Sequence, residues 1–553
     1  VRCRAPPLYD DTGAYRTDGM IRRNASILTV LLALVLLQVA LYQPSEPFFY
    51  NDETRHVMTG VFFKDLLYDH PVTHVRQYAI DYYLKYPALG ILVWPPLFYV
   101  TEGVAMSVFG TSMVVSRVLI GLFALFACVY LFLLSRRVVG PNRAALVVLA
   151  FGTTQLIFKY SHFVMLEMPM LALALGATYH FVLYLEQERR RDLFWWGLLA
   201  AASALTRFDV IYLLVLFPLL GALYRKWDIL RKKEVWITMV AALCLVAPAY
   251  IVTATSVGWL HAREVTETMD AGDPALLSWA RLFYYPAGLP YNLSWFFVIA
   301  AVVGAISAIA RRDKSCLVFA TIVAAVYVTF TPIAEMRERH VIYWVPALAF
   351  FAAEGVYHAA QLLRWRLAVG ILAGAVFGGA FAQAAPQLRT YLVGYTAAAQ
   401  YVQSHTANPP LCLYIGSLNG NFIYQMRRAD PARRIWTLRG EKLADALPRK
   451  EGSTQPDPDK LLQAIKDYSP TFILVEHTSD PAFLAPSAWL AKLIEDHPER
   501  FRVEREFPMF SNSWQFAGGR ILVYRNLTPN PSASGDVKLN IRLLRQTVRG
   551  RLP

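Results

Sequence analysis

Charge is what this sequence has least of. Only 17% of its 553 residues are Asp, Glu, Lys or Arg, where an ordinary soluble chain carries about a quarter. That shortage excludes a large solvated multidomain protein. Cysteine is also scarce, with five residues at Cys3, Cys128, Cys244, Cys316 and Cys412. None has disulfide, redox or metal-ligand spacing, so they read as packing residues. No internal repeat is visible. The formal net charge of +14 would suit a nucleic-acid binder, but the basic residues crowd into short loops between apolar stretches, where orientation signals sit.

What the chain has instead is apolar length. Of its residues, 56% are hydrophobic and 14% aromatic. The apolar runs fall near 25–42, 113–134, 144–159, 168–185, 193–206, 209–224, 235–254, 292–310, 316–331, 341–361 and 367–385. Most are close to the ~20 residues that a helix needs to cross a bilayer. The loops "RRVVGPNR", "QERRRD", "RKWDILRKKE", "RRDK" and "RWR" are short and basic. The positive-inside rule therefore predicts about eleven spans with the N-terminus inside and the C-terminus outside.

Two further segments are expected to lie on the outer leaflet rather than cross. "ALGILVWPPLFYVTEGVAMSVFG" (88–110) is broken by Pro95-Pro96, with a helix able to start from Phe98. Residues 53–68 place Met58, Phe62, Phe63, Leu66 and Leu67 on one helical face. The expected organisation is a disordered or mis-started segment 1–19 ahead of Met20, and a transmembrane domain over 20–385 with a large outer loop at 43–112. An extracytoplasmic α/β domain (386–528) and a loosely held basic tail (529–553) follow. Strands are expected at "LCLYIG", "RIWTL", "TFILVE", "FRVEREF" and "RILVYR", and a helix at "PDKLLQAIKDY". "IGSLNGNF" lacks dinucleotide-fingerprint spacing and reads as turn chemistry.

Ionisable groups near bilayer depth are costly, so their positions carry information. Five clusters fall at the outer ends of the expected spans. They are Asp52, Glu53, Arg55 and His56; Tyr82, Tyr83 and Lys85; Lys159, His162 and Glu167; Arg207 and Asp209; and Glu335, Arg337, Glu338, Arg339 and His340. Each also has an ordinary reading. Asn51 or Asp52 suits a helix cap with Glu53 in the favourable first turn, Lys85 and Arg207 suit snorkelling, and "RERH" suits a solvated turn. Their conjunction on one side favours a site. A carboxylate would accept a proton from an attacking hydroxyl, cations would stabilise a leaving phosphate, and the interfacial helices would guide a lipid tail.

Four motifs carry a resemblance to a known family. "NDETRH", "LKYPALGILVWPPLFYV", "VMLEMPM" and "ERHVIYWVP" resemble, in order, the motifs of GT-C membrane glycosyltransferases. The likeness is to the bacterial group similar to dolichyl-phosphate-mannose protein mannosyltransferases and the lipid A aminoarabinose transferase. It covers roughly residues 20–385. It implies a mainly α, polytopic GT-C-like helix bundle and a sugar donor carried on polyprenyl phosphate. Transfer would go to a protein, glycan or lipid hydroxyl, with inversion, at the outer face of a bacterial cytoplasmic membrane.

The resemblance implies Asp52, Glu53 and Glu167 as the catalytic set, with Asp52 activating the acceptor, Glu53 structural or organising the site, and Glu167 holding the acceptor or the first loop. Arg55, Lys85, Arg207 and Arg339 would hold the donor phosphate, and Tyr82, Tyr83, His162 and His340 would contact substrate. Two departures stand out: His340 replaces a tyrosine frequent in relatives, and Lys85 precedes Tyr86-Pro87 rather than a double proline. A divalent metal bound by some relatives would fall to His162 and Glu167, and none is expected to be essential. The rival readings are a lipid-linked sugar transporter or flippase and a non-catalytic scaffold. The missing repeat and the one-sided charge weigh against the transporter, and the intact acid-and-cation set against the scaffold.

Overall fold

The structure is a computed structural model, described for residues 17–46, 52–257, 274–275, 278–333, 336–363, 365, 367–388, 390–406, 410–443, 458–479, 481–530, 535–541 and 546–551. Of the segment 1–19, residues 17–19 lie in a helix and the remainder is outside the described residues, as are Asn51 and Glu335.

The apolar runs fold as helices. Four are long and apolar enough to cross a membrane: Met113–Val139, Glu167–Gln187, Lys233–Ser256 and Ala368–Pro386. Shorter apolar helices include Ala25–Ala40, Trp295–Ala310 and Lys314–Phe330. The run 144–159 is divided between helices Pro141–Gly152 and Gln155–Tyr160. Charged pairs join the helix ends that carry the basic loops. Buried Glu354 meets Arg143 at 2.9 Å and His358 at 3.2 Å, and Glu188 takes Lys226 at 2.7 Å and Lys232 at 2.6 Å.

Between helices Ala25–Ala40 and Met113–Val139 the chain forms α1 (Asp52–Asp69), α2 (Val75–Lys85) and α3 (Leu97–Phe109). α1 opens with two acids in its first turn, where the helix dipole favours negative charge. α3 begins directly after Pro96, as the proline pair requires, and the Leu97 N–H donates to the Leu205 carbonyl at 2.9 Å. α1 packs along α3, and most of its residues are buried.

The C-terminal part is an α/β domain. Its short strands are β1 (Leu392–Val393) and β6 (Phe510–Ser511), which pair with each other. The main sheet holds β2 (Leu411–Ile415), β3 (Trp436–Arg439), β4 (Phe472–His477), β5 (Phe501–Pro508) and β7 (Arg520–Asn526), in the order β3-β2-β4-β7-β5. β3, β2 and β4 run parallel, while β7 is antiparallel to β4 and β5. All five expected strands are therefore present in one sheet. The basic tail, expected to be loosely held, instead forms an antiparallel hairpin of β8 (Asp536–Ile541) and β9 (Gln546–Arg551). It packs on α2, where Gly550 sits so close to Leu84 that a Cβ would come within 2.3 Å of it.

The domain rests on the helical part through α1. Arg427 from helix Asn419–Ala429 meets buried Asp65, and Gly420 lies against Thr54, where an added Cβ would sit 2.9 Å from the threonine side chain.

Candidate active site

Asp52 and Glu53 are adjacent, but a helix sends neighbouring side chains about 100° apart, and the two acids have different surroundings. Glu53 is wholly buried. It accepts from Arg117 at 3.4 Å and from the Val164 N–H at 3.2 Å, tying α1 to helix Met113–Val139 and to the segment before Glu167. Asp52 keeps 20% of its side chain exposed. Its Oδ1 faces Arg55 at 3.2 Å and its Oδ2 faces Arg339 at 3.7 Å.

From Asp52 a chain of alternating charge runs through the bundle end. Arg339 lies 3.7 Å from Glu167, and Glu167 lies 3.2 Å from Arg207. Arg207 donates from Nε to Asp209 at 2.6 Å. Asp209 also accepts from the Tyr343 hydroxyl at 2.7 Å and lies 3.8 Å from His340. The His340 Nδ1 and the Tyr285 hydroxyl are 3.0 Å apart, and the His340 ring stacks on Phe330 with centroids 4.4 Å apart. Glu167 is fully buried, and both of its carboxylate oxygens lack a hydrogen-bond donor among the described residues.

Each partner stands where a helix starts or breaks. Glu167 begins helix Glu167–Gln187, Arg207 follows helix Arg190–Ala204, and Arg339 and His340 lie in the 3-10 turn Glu338–Tyr343. Helix breaks leave side chains free to turn inward, so the charged clusters of four separate segments converge.

His56 connects this cluster to an apolar space. Its Nδ1 hydrogen-bonds with the Tyr99 hydroxyl at 2.7 Å, and its ring meets Trp94 edge-on with centroids 5.4 Å apart. Burial pushes its pKa down to about 3, against the raising effect of Asp52, so it is a neutral partner. Tyr99 and Trp94 in turn line a cavity of about 270 Å³ with Phe63, Leu92, Pro248 and Val252.

The second expected cluster makes no contact with Asp52 among the described residues. The Lys85 Nζ donates to the Arg433 carbonyl and lies 5.5 Å from the Trp436 ring centroid. The Tyr82 hydroxyl donates to Asp65 at 2.7 Å, and Tyr83 accepts from Lys442. All three lie at the seam between α2 or α1 and the α/β domain. His162 also stands apart: its Nδ1 bonds with the Phe158 carbonyl at 2.9 Å. Sequence reading singled out Asp209 within a cluster without assigning it a role, and it did not find Arg117, Tyr285 or Tyr343. Tyr343 lies within the quoted "ERHVIYWVP", three residues beyond His340 and so on its helical face, which was the available signal.

Comparison with known proteins bears on this geometry. The family of dolichyl-phosphate-mannose-protein mannosyltransferases matches residues 94–252, beginning at Trp94 before the double proline. Among curated proteins none matches the chain. The crystal structure of ArnT from Cupriavidus metallidurans in the apo state superposes with a TM-score of 0.59 at 14% identity, covering 92% of this chain and 98% of ArnT. The chain has the ArnT-like GT-C fold. ArnT bound to undecaprenyl phosphate superposes similarly, with a TM-score of 0.58 at 13% identity and the same coverage. With its family match and its GT-C fold, the chain is similar to the protein mannosyltransferases and to ArnT.

Proposed function

We propose that this protein transfers a sugar from a polyprenyl-phosphate-linked donor to an acceptor hydroxyl, with inversion at the anomeric carbon. Transfer takes place at the bundle end that bears the α/β domain, the extracytoplasmic side of a bacterial cytoplasmic membrane. The observation that carries this reading is the junction at His56. A charged cluster holding a partly exposed carboxylate is joined there, through Tyr99 and Trp94, to an apolar cavity, the combination that a lipid-linked phosphate demands. The undecaprenyl phosphate bound by ArnT, whose fold this chain shares, supports the choice of lipid.

In this reading Asp52 takes the proton of the acceptor hydroxyl as that oxygen bonds to the anomeric carbon. The bond from the anomeric carbon to the phosphate oxygen breaks on the opposite side, which inverts the configuration. Its electron pair leaves on polyprenyl phosphate. Arg339, beside the carboxylate, and Arg207, reached from it through Glu167, offset the charge gathering on the leaving phosphate, so no step needs a metal ion. Glu167, ion-paired through Oε1 with Arg207 and Arg339, accepts a substrate hydroxyl at Oε2, and Glu53 positions the first turn of α1 through Arg117 and Val164.

The test is transfer of radiolabelled sugar from a panel of polyprenyl-phosphate sugars in membranes carrying wild type or Asp52→Asn at matched expression. Transfer by wild type that is lost in Asp52→Asn, with donor binding retained, supports the assignment. Equal transfer by both removes Asp52 as the base. Movement of the lipid between leaflets without sugar transfer would favour a transporter.

A further inference from the structure

We infer that Arg55, Arg439 and Lys442 form a second oxyanion subsite, completed by the α/β domain, that holds a phosphate or carboxylate group carried by the acceptor. The word acceptor rests on the transferase reading above; the oxyanion subsite itself does not.

β3 ends at Arg439, and the short helix Gly440–Leu443 follows. Both basic residues therefore stand at the carboxyl end of the parallel part of the sheet, where open α/β sheets take their ligands. Here that end faces the first turn of α1, because Gly420, five residues beyond β2, lies against Thr54. The Arg439 Nη1 donates to the Pro87 carbonyl at 3.2 Å. The Lys442 Nζ donates to the Tyr83 hydroxyl and lies 4.5 Å from that ring's centroid.

Apart from Asp52 beside Arg55, negative charge is short at this place among the described residues. Glu441 is 3.9 Å from Arg439, but its Oε1 already accepts the Gly416 N–H at 2.8 Å. The Arg439 Nε is buried without an acceptor, and no carboxylate pairs with Lys442 among the described residues. Arg55 stands in the first turn of α1 next to Thr54, against which Gly420 of the domain lies, and its charge acts on both cations. Burial, with Arg55 adding to it, pushes Lys442 down to about 7, and burial brings Arg439 to about 10 against the pull of Glu441. Arg55 is 39% exposed and paired with Asp52, whereas Arg439 and Lys442 are largely withdrawn from water, and cations so withdrawn are costly unless an anion joins them.

The geometry around Asp52 separates this anion from the donor's phosphate. Arg55 and His56 are neighbours on a helix, so they point about 100° apart. His56 touches Tyr99 and Trp94, two residues of the apolar cavity's wall, and that wall comes from the helical part alone. A donor phosphate follows its tail to that side, where Arg339 and Arg207 stand. Arg55 is the chain neighbour of Thr54, the residue of α1 against which Gly420 of the domain lies. Asp52 bridges the two sides, with Oδ1 toward Arg55 and Oδ2 toward Arg339. A base between donor and acceptor sites needs that placement.

The first experiment uses the full-length protein in detergent and acylation of Lys442 by an amine-reactive ester, followed by peptide mass spectrometry. Exposed Lys538 serves as internal control. Inorganic phosphate or acetate at several times its dissociation constant should slow Lys442 acylation about fivefold and leave Lys538 unchanged. Arg439→Gln should remove that protection. Absence of protection by both anions overturns the subsite.

The second readout is transfer. Lys442→Met should lower it at least about tenfold, roughly 1.4 kcal/mol, with polyprenyl phosphate affinity unchanged. Lys442→Arg should restore it, and labelled product should be retained on an anion-exchange resin. A neutral product, or loss of polyprenyl phosphate affinity in Lys442→Met, overturns the acceptor assignment. If wild type transfers no sugar while phosphate still protects Lys442, the oxyanion subsite stands and the transferase reading falls.

Discussion

Arg427 grips Asp65 with two nitrogens, Nε at 2.9 Å and Nη2 at 2.7 Å, and through this buried pair the α/β domain holds α1. Asp65 also accepts from the Tyr82 hydroxyl, so three segments meet on one carboxylate. Asp65→Asn leaves a buried guanidinium without its counter-charge, which costs about 3–5 kcal/mol. The expected outcome is a lower melting temperature and faster proteolytic release of the C-terminal domain, read by gel after limited digestion.

Asp52 and Glu53 should separate kinetically. Asp52→Asn is expected to lower the transfer rate by about 10²–10⁴-fold with little change in stability, because it removes proton acceptance from a partly exposed group. Glu53→Gln should act mainly on folding, since it removes the charge facing Arg117 in a closed environment. Parallel measurement of transfer and thermal unfolding distinguishes the two. Equal losses of stability would overturn the separation.

Helices Trp295–Ala310 and Val345–Leu362 touch backbone to backbone. A Cβ on Gly304 would lie 1.9 Å from the Phe351 carbonyl oxygen, and one on Gly355 would lie 2.0 Å from that of Ala300. Small residues allow this approach between apolar helices. Gly304→Leu is expected to force the pair apart and to destabilise the protein in detergent. Gly374→Leu, at a glycine with open space around it, should have little effect.

The α/β domain should lose stability as pH rises. Burial lifts Glu476 from 4.5 to about 7. It lies beneath the Tyr414 hydroxyl at 2.5 Å and the Leu418 N–H at 3.3 Å, with Tyr395 and Glu441 nearby. A group whose folded pKa is raised contributes stability that is full below its unfolded pKa and is lost as pH rises through the folded one. The window here is 4.5 to about 7. Melting curves across that window should decline in wild type and flatten in Glu476→Gln, which keeps an acceptor for Tyr414 and Leu418.

Guanidinium groups flank the proposed transfer site, so chelation should leave transfer unchanged. Membranes washed with EDTA and assayed with and without added magnesium or manganese provide the measurement. Loss of transfer on washing, restored by metal, would assign the phosphate to a cation other than arginine.

Much of the fold was legible in the linear pattern. The start of α3 follows from Pro95-Pro96, and the five strands of the main sheet follow from short apolar runs such as "LCLYIG" and "TFILVE". The charged residues that converge on Asp52 were legible as residues, because each stands where an apolar run ends. Their partners were not. The family resemblance implies a phosphate-holding role for Lys85, and only the fold shows that α2 carries it to the Arg433 carbonyl and Trp436. Arg439 and Lys442 sit in an unremarkable strand–turn segment, and only the seating of the sheet against α1 brings them near Arg55.

The sequence by itself determined that the chain is a helical membrane protein with an α/β appendage, and that acids and cations collect at one set of helix ends. Those properties depend on hydrophobicity summed over consecutive residues, so they can be read along the chain. The tertiary structure decided which acid faces open space, which cations are already neutralised and which remain short of a counter-charge. Charge pairing depends on distances of 2.6–3.7 Å between segments far apart in sequence. Those distances exist only after the helix ends have packed together.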